Sequence, residues 1–199
     1  MPVSGLTKLE AVNEIISLVQ LPINTFNVKT ANVLAAEHDL DIATRRSQQS
    51  GFEYNSERQV VLSPNSDNQI VIESNVISVD SSNINENYVI LNSKLYNKDK
   101  KTFTFTSDVK VDLIKYYEFE ELPELLKWYV MYTAKYNFGV QRKKALDQQD
   151  ILKQEVYDSK AAWFNANTAV SDTTITNNPH SNSIGNPASL IVNRNQWMI

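Results

Sequence analysis

The feature that most constrains this chain is a change of hydrophobic period that later reverses. In the first quarter apolar residues recur at three and four. Through the middle they alternate singly, and then the three-four spacing returns. A segment patterned for a helix cannot bury the same side chains as a strand, because the two periods place them on different faces. The chain therefore reads as α+β. A bundle of about four helices occupies residues 1–51 and 118–167, and a small antiparallel β module is inserted at 52–117. An extended C-terminal arm spans 168–199.

The opening helix is announced by Thr7 and Glu10, spaced as a capping box, with Val12, Ile15, Ile16 and Val19 on one face ahead of Pro22. Thr30 begins the second helix. Its inner stripe is read as Ala31, Leu34, Ala35, His38 and Ile42, with Leu40 to the side and Asp39 and Asp41 facing elsewhere. Arg45 and Arg46 complement the dipole at its end, and Gly51 supplies the stop.

Within the insert, Val60-Val61-Leu62, Ile70-Val71-Ile72 and Val76-Ile77-Ser78-Val79 read as short strands. So do Tyr88-Val89-Ile90-Leu91 and Lys94-Leu95-Tyr96, the Phe103/Phe105 alternation, and the run Val109, Val111, Leu113. Turns fall at 63–68, Asn92-Ser93 and 97–100. Helix returns at Pro123, with Glu118, Glu120, Glu121 and Glu124 at its positive end. Leu125, Trp128, Tyr129, Tyr132 and Tyr136 repeat at helical spacing. The aromatics among them are read as core and subunit packing, because tyrosine combines buried area with a hydroxyl that can stay hydrogen-bonded. Gly139 is expected to break or kink this helix. A fourth helix is expected over 145–165, with Leu152, Val156, Ala162 and Trp163 near one stripe.

The chemistry-bearing residue types are sparse. Neither of the two histidines, His38 and His180, has ligand-type neighbours at metal spacing, and the four glycines form no phosphate-binding loop. The four clustered glutamates are explained by the helix terminus rather than by sugar hydrolysis. No catalytic residue, cofactor or metal is expected. Cysteine is absent, so neither disulfides nor thiolate metal sites form. No apolar run spans a bilayer and no secretory leader is expected, so a membrane is not among the expected partners. The net charge is −4. Basic residues gather only at Arg45-Arg46, at Lys98 with Lys100-Lys101, and at Arg142-Lys143-Lys144, which does not make the basic stripe that grips duplex DNA.

Beyond residue 168 Asn, Ser and Thr dominate, and Asp172 and Arg194 are the only full charges. Yet this polar stretch ends in two apolar clusters, Leu190-Ile191-Val192 and Trp197-Met198-Ile199. Such clusters read as anchors for a groove on another chain, the alternative being that the tail folds back on its own domain.

With these parts in order, the chain resembles the tail tubular protein A family, the head-to-tail adaptors of short-tailed phages. The resemblance rests on Leu9-Glu10-Ala11-Val12-Asn13-Glu14-Ile15-Ile16, the helix from Ala31 to Gln49, and Ser50-Gly51-Phe52-Glu53-Tyr54-Asn55. It continues through Leu62-Ser63-Pro64-Asn65, Ile70-Val71-Ile72, Tyr96-Asn97 before Phe103, Leu122-Pro123-Glu124, and Ala134-Lys135-Tyr136-Asn137-Phe138. Two departures stand out: no Gly precedes Pro22, and Phe52 stands where the family commonly has Trp. The resemblance implies a virion protein assembled in the host cytoplasm into a closed ring of twelve copies. The ring would bind the portal above and the tail nozzle (tail tubular protein B type) below, with duplex DNA passing through the bore without tight binding. Two rival readings are a tail-associated β-module that holds a host glycan, favoured by exposed aromatics in 52–117, and a cell-wall hydrolase, which lacks an acid and base pair.

Overall fold

The computed structural model describes residues 5–83, 86–142 and 146–176. The chain divides into a unit spanning Met1–Trp163 and a second spanning Phe164–Ile199. In the first unit, helices α1 (Lys8–Ile16), α2 (Ala31–Gln48) and α3 (Glu124–Gln141) pack together, and α4 (Gln149–Thr176) begins there. Between α2 and α3 lie strands β1 (Ser56–Leu62), β2 (Val76–Ser81), β3 (Tyr88–Leu91), β4 (Lys94–Asn97) and β5 (Val109–Lys115). The architecture is α+β, as the alternating periods predict.

The predicted capping box is formed: Glu10 N–H donates to the Thr7 hydroxyl, and the Glu10 carboxylate accepts from Thr7 N–H at 2.9 Å. These bonds hold the Glu10 carboxyl below the usual carboxylate range. The helix stops at Ile16, short of Pro22, because Asn13 turns the chain back. Its side-chain amide donates to Ile23 C=O at 2.9 Å and its oxygen accepts from Ile23 N–H at 2.8 Å.

In α2 the inner face differs from the expected one. Val33, Ala36, Leu40 and Ala43 are buried, whereas Leu34 is 50% exposed and His38 is exposed. The spacing 33, 36, 40, 43 is as helical as the stripe chosen from sequence, and its small alanines suit the packing of α2 against α3. Asp39, expected to face elsewhere, is buried and pairs with Arg142 at 3.1 Å.

The α3 core face is Leu126, Val130, Met131, Ala134 and Phe138. Gly139 does not interrupt it. The cost of a helical glycine, about 1 kcal/mol relative to Ala, is smaller than what burial of Ala134 and Phe138 returns. A 3-10 turn at Leu146–Gln148 precedes α4, which continues through Thr176, past both the expected end at 165 and the expected start of the arm. In the second unit, Thr168 lies in this helix, its hydroxyl donating to Phe164 C=O at 2.8 Å.

The insert carries its own core of Ile70, Ile72, Val79, Tyr88, Leu95, Phe105, Val111 and Leu113, separate from that of the helices. A three-stranded antiparallel sheet is ordered β1-β5-β2, and β3 pairs with β4. The β3–β4 hairpin turns at Asn92-Ser93, both at positive φ (52° and 57°), the conformation that matches the twist of a two-residue hairpin. Two of the expected strands do not form full strands. Val71 forms an isolated bridge to Lys94, flanked by bonds from Ile72 N–H to Ser93 C=O and from Leu95 N–H to Ile70 C=O, both 2.9 Å. Phe103 and Phe105 lie in a loop. Lys101 at φ 52° bends the chain, Phe103 rests on Tyr96 with ring centroids 4.8 Å apart, and Phe105 drops into the core.

Candidate functional site

The polar groups buried most completely do not line a cleft. They sit where the insert leaves and rejoins the helices, and two amides do most of the joining. Asn55, 1% exposed, accepts from Phe52 N–H at 2.7 Å and donates to Gln48 C=O at 3.1 Å and Lys115 C=O at 3.0 Å. Its own backbone accepts from Lys115 N–H at 2.8 Å. Gln48, fully buried, donates to Thr44 C=O and Tyr117 C=O and accepts from Tyr117 N–H at 2.9 Å. The end of α2, the start of β1 and the exit of β5 are thereby wired together. Buried amides of this kind are tolerated because their donors and acceptors are used.

Gly51 makes the turn into the joint. Its φ is +70°, and a Cβ there would lie 2.9 Å from Ile114 Cδ1, so both conformation and space call for glycine. Phe52 and Tyr54 follow, stacked at 6.2 Å, and each meets Trp163 of α4 edge-on at 5.2 and 5.8 Å. Burial pushes the Tyr54 phenol well above its ordinary value.

The glutamate cluster is likewise structural. Glu118 and Glu121 cap each other around a 3-10 turn. Glu120 accepts from Lys8 N–H at 2.8 Å, and Glu124 accepts from Leu6 N–H at 3.0 Å and from Trp128 Nε1–H at 3.0 Å. They serve the start of α1 as well as that of α3, a long-range role that local spacing does not reveal. The Tyr116 phenol, pushed up to about 12 by burial and by Glu118, donates to Glu118 at 3.2 Å beneath the Arg45 guanidinium.

Trp128, Tyr129, Tyr132 and Tyr136 flank the α3 core face rather than forming it. Trp128 is 37% exposed, beside Leu125 at 42%, and the three tyrosines are half-buried. The Trp128 and Tyr132 rings lie 6.1 Å apart. Burial, then the Glu155 carboxylate of α4, raises the Tyr132 phenol. Leu21 (86%) and Val28 (43%) on the α1–α2 connector and Leu34 (50%) early in α2 are exposed as well. Leu190, Ile191, Val192, Trp197, Met198 and Ile199 lie outside the described residues, as does His180. Every aromatic side chain of 52–117 is buried or half-buried. Among the described residues no group of three or more His, Cys, Asp or Glu is placed to hold a metal ion, and no helix is long and apolar enough to cross a membrane.

The sequence reading missed Asn55 as a hub, and with it Gln48, Asp39, Asn13 and Lys135, whose ammonium pairs with Glu14 at 2.6 Å. Asn55, Asn13 and Lys135 do lie inside the stretches that carry the resemblance. Those stretches turn out to be caps, clamps, turns and long-range ion pairs, the parts that fix one backbone rather than the parts that do chemistry.

Fold and site together define a scaffold: helices and a β module, each with its own core, locked through buried amides. The family model described as Tail tubular protein matches residues 9–173, and the chain belongs to that family. It is a structural protein of the phage tail, located in the virion. Among curated proteins, no relative matches the chain.

Proposed function

We propose that this tail protein is the head-to-tail adaptor. It forms a closed ring of twelve copies beneath the portal, receives the tail nozzle below, and surrounds duplex DNA without gripping it. The observation that carries this reading is the exposure of apolar side chains on unlike parts of one unit, Leu125 with Trp128 on α3, Leu21 and Val28 on the α1–α2 connector and Leu34 early in α2. A ring needs a heterologous interface, in which one face of a copy meets a different face of the next. Exposed tryptophan and leucine are what such an interface buries at its centre. The half-buried Tyr129, Tyr132 and Tyr136 extend the α3 side of it. The C-terminal anchors Leu190, Ile191, Val192, Trp197, Met198 and Ile199 supply docking contacts to the portal or to a neighbouring copy. The net charge of −4 supports DNA passage without tight binding.

The test is native mass spectrometry and electron microscopy of the full chain, alone and mixed with portal protein. A closed ring coaxial with the portal is expected. Monomers alone, with no portal association at micromolar concentration, would refute the reading.

A further inference from the structure

The three-stranded sheet has two edges, and they are not equally protected. At one edge β2 carries Asp80, exposed, between Val79 and Ser81, and a charge is what keeps an edge from recruiting another strand. The other edge is β1, seven residues long, bonded to β5 on one side only. Its first half is guarded as well, by Glu57, by the exposed Arg58 and by a bend. Gln59 sits at φ 55° in a bulge, its N–H held by the Asp112 carboxylate at 2.8 Å. From Val60 to Leu62 the register against Val111–Val109 is regular and no charge intervenes. Val61 is 53% exposed there.

Beside this stretch a groove of about 130 Å³ opens, walled by Val60, Leu62, Val71, Ile72, Val76 and Leu113, with a charged end where Lys115 meets Glu57 and Glu73. Val71, on the lip of the groove, is 61% exposed. An open strand edge next to an apolar trough is the arrangement that accepts an added strand. Its backbone bonds to the edge while alternate side chains fill the trough.

The chain supplies one segment of matching character. Leu190-Ile191-Val192 is short, apolar and largely β-branched, and lies outside the described residues. Fourteen positions separate it from Thr176, the end of α4. Extended, that length reaches roughly 45–50 Å. A compact body of this size has a radius of gyration of only about 15 Å. The segment can therefore arrive at an adjacent copy.

We infer that Leu190–Val192 of one copy adds as a strand to the open edge of β1 at Val60–Leu62 in the neighbouring copy, with side chains in the groove beside Val71. The occupant is a second copy of this chain, so the inference rests on the ring reading and gives it a defined strand-exchange contact.

Because the chain contains no cysteine, single thiols can be placed without background. Val61→Cys and Ile191→Cys chains, mixed, assembled and treated with a short bis-maleimide, are expected to give covalent dimers, and a doubly substituted chain a ladder of multimers. A Leu91→Cys chain, whose thiol lies on the short strand β3, serves as the collision control. Native mass spectrometry of the same samples reports assembly. Oligomers without Val61–Ile191 linkage would overturn this inference and leave the ring reading standing. Monomers alone would overturn both. Linkage only within single chains, or equal linkage at Leu91→Cys, would overturn exchange between copies.

Discussion

Removing the Asn55 side chain should uncouple the insert from the helices. Asn55→Ala deletes three hydrogen bonds of 2.7, 3.1 and 3.0 Å in a site 1% exposed to water. At about 1 kcal/mol net for each bond, the loss comes to about 3 kcal/mol. One acceptor is spared part of the cost, since Gln48 C=O keeps its bond from Gly51 N–H at 3.2 Å. Asn55→Asp is nearly isosteric yet should cost more at neutral pH. It keeps the acceptor for Phe52 N–H but aims a carboxylate oxygen at two carbonyl oxygens, and an unpaired buried charge is costlier than a missing bond. That excess should shrink as pH falls. The new carboxyl, desolvated, binds its proton more tightly folded than unfolded, so lowering the pH favours the folded state. Urea unfolding followed by circular dichroism gives the energies, and fluorescence of Trp163, which lies against Phe52 and Tyr54, watches the joint. A drop in melting temperature of about 6–12 °C is expected for Asn55→Ala at this chain length. A loss below about 1 kcal/mol, or an Asp variant no worse than the Ala one at pH 7, would refute the view that this amide carries the joint.

Three further outcomes follow from the same structure. Asp39→Ala leaves the Arg142 guanidinium without its carboxylate and should cost about 2–3 kcal/mol in urea unfolding, discounted because Arg142 is 26% exposed; Asp39→Leu with Arg142→Met should recover most of it. Gly51→Ala forces a Cβ into a left-handed position 2.9 Å from Ile114 Cδ1, and a thermal melt should show a loss of about 1–2 kcal/mol or more. The Asp112 carboxyl is held below its usual range by Gln59 N–H first, then by the Ser82 hydroxyl and the Arg58 charge. Its contribution is therefore complete above about pH 4, the unfolded value, and fades as pH falls through the lower folded value. Asp112→Asn should narrow the gap to the parent protein as unfolding is measured at progressively more acid pH.

What the sequence made legible is what local chemistry decides. Thr7 with Glu10, Thr30 before Ala31, the asparagines of the 63–68 turn and the Asn92-Ser93 hairpin each act within four residues, and each is where the spacing put it. Illegible were the choices made by distant partners. The burial of α2 on Val33, Ala36, Leu40 and Ala43 depends on α3 coming close, and a stripe containing His38 satisfies helical periodicity equally well. Asp39 is buried because Arg142, 103 positions away, meets it. The glutamates before α3 looked sufficient for their own helix, so their bonds to Leu6 and Lys8 had no local signature.

The same distinction bears on how the perturbed groups of the described residues are used. A catalytic site places perturbed acids and bases around a cavity open to substrate. Here several of the perturbed groups are engaged internally: Glu10 in a cap, Asp112 at a bulge, Tyr116 on Glu118. Buried amides at a joint contribute little net stability over apolar side chains of equal volume, since each hydrogen bond replaces one to water. What they do contribute is direction, because a misaligned joint leaves Asn55 and Gln48 unsatisfied in a dry site. An apolar contact would let the β module slide against the helices at small cost, whereas three backbone segments bonded to two amides do not. For a tail component whose surfaces must meet neighbouring subunits in one register, fixing that angle within the subunit is the function such a joint serves best.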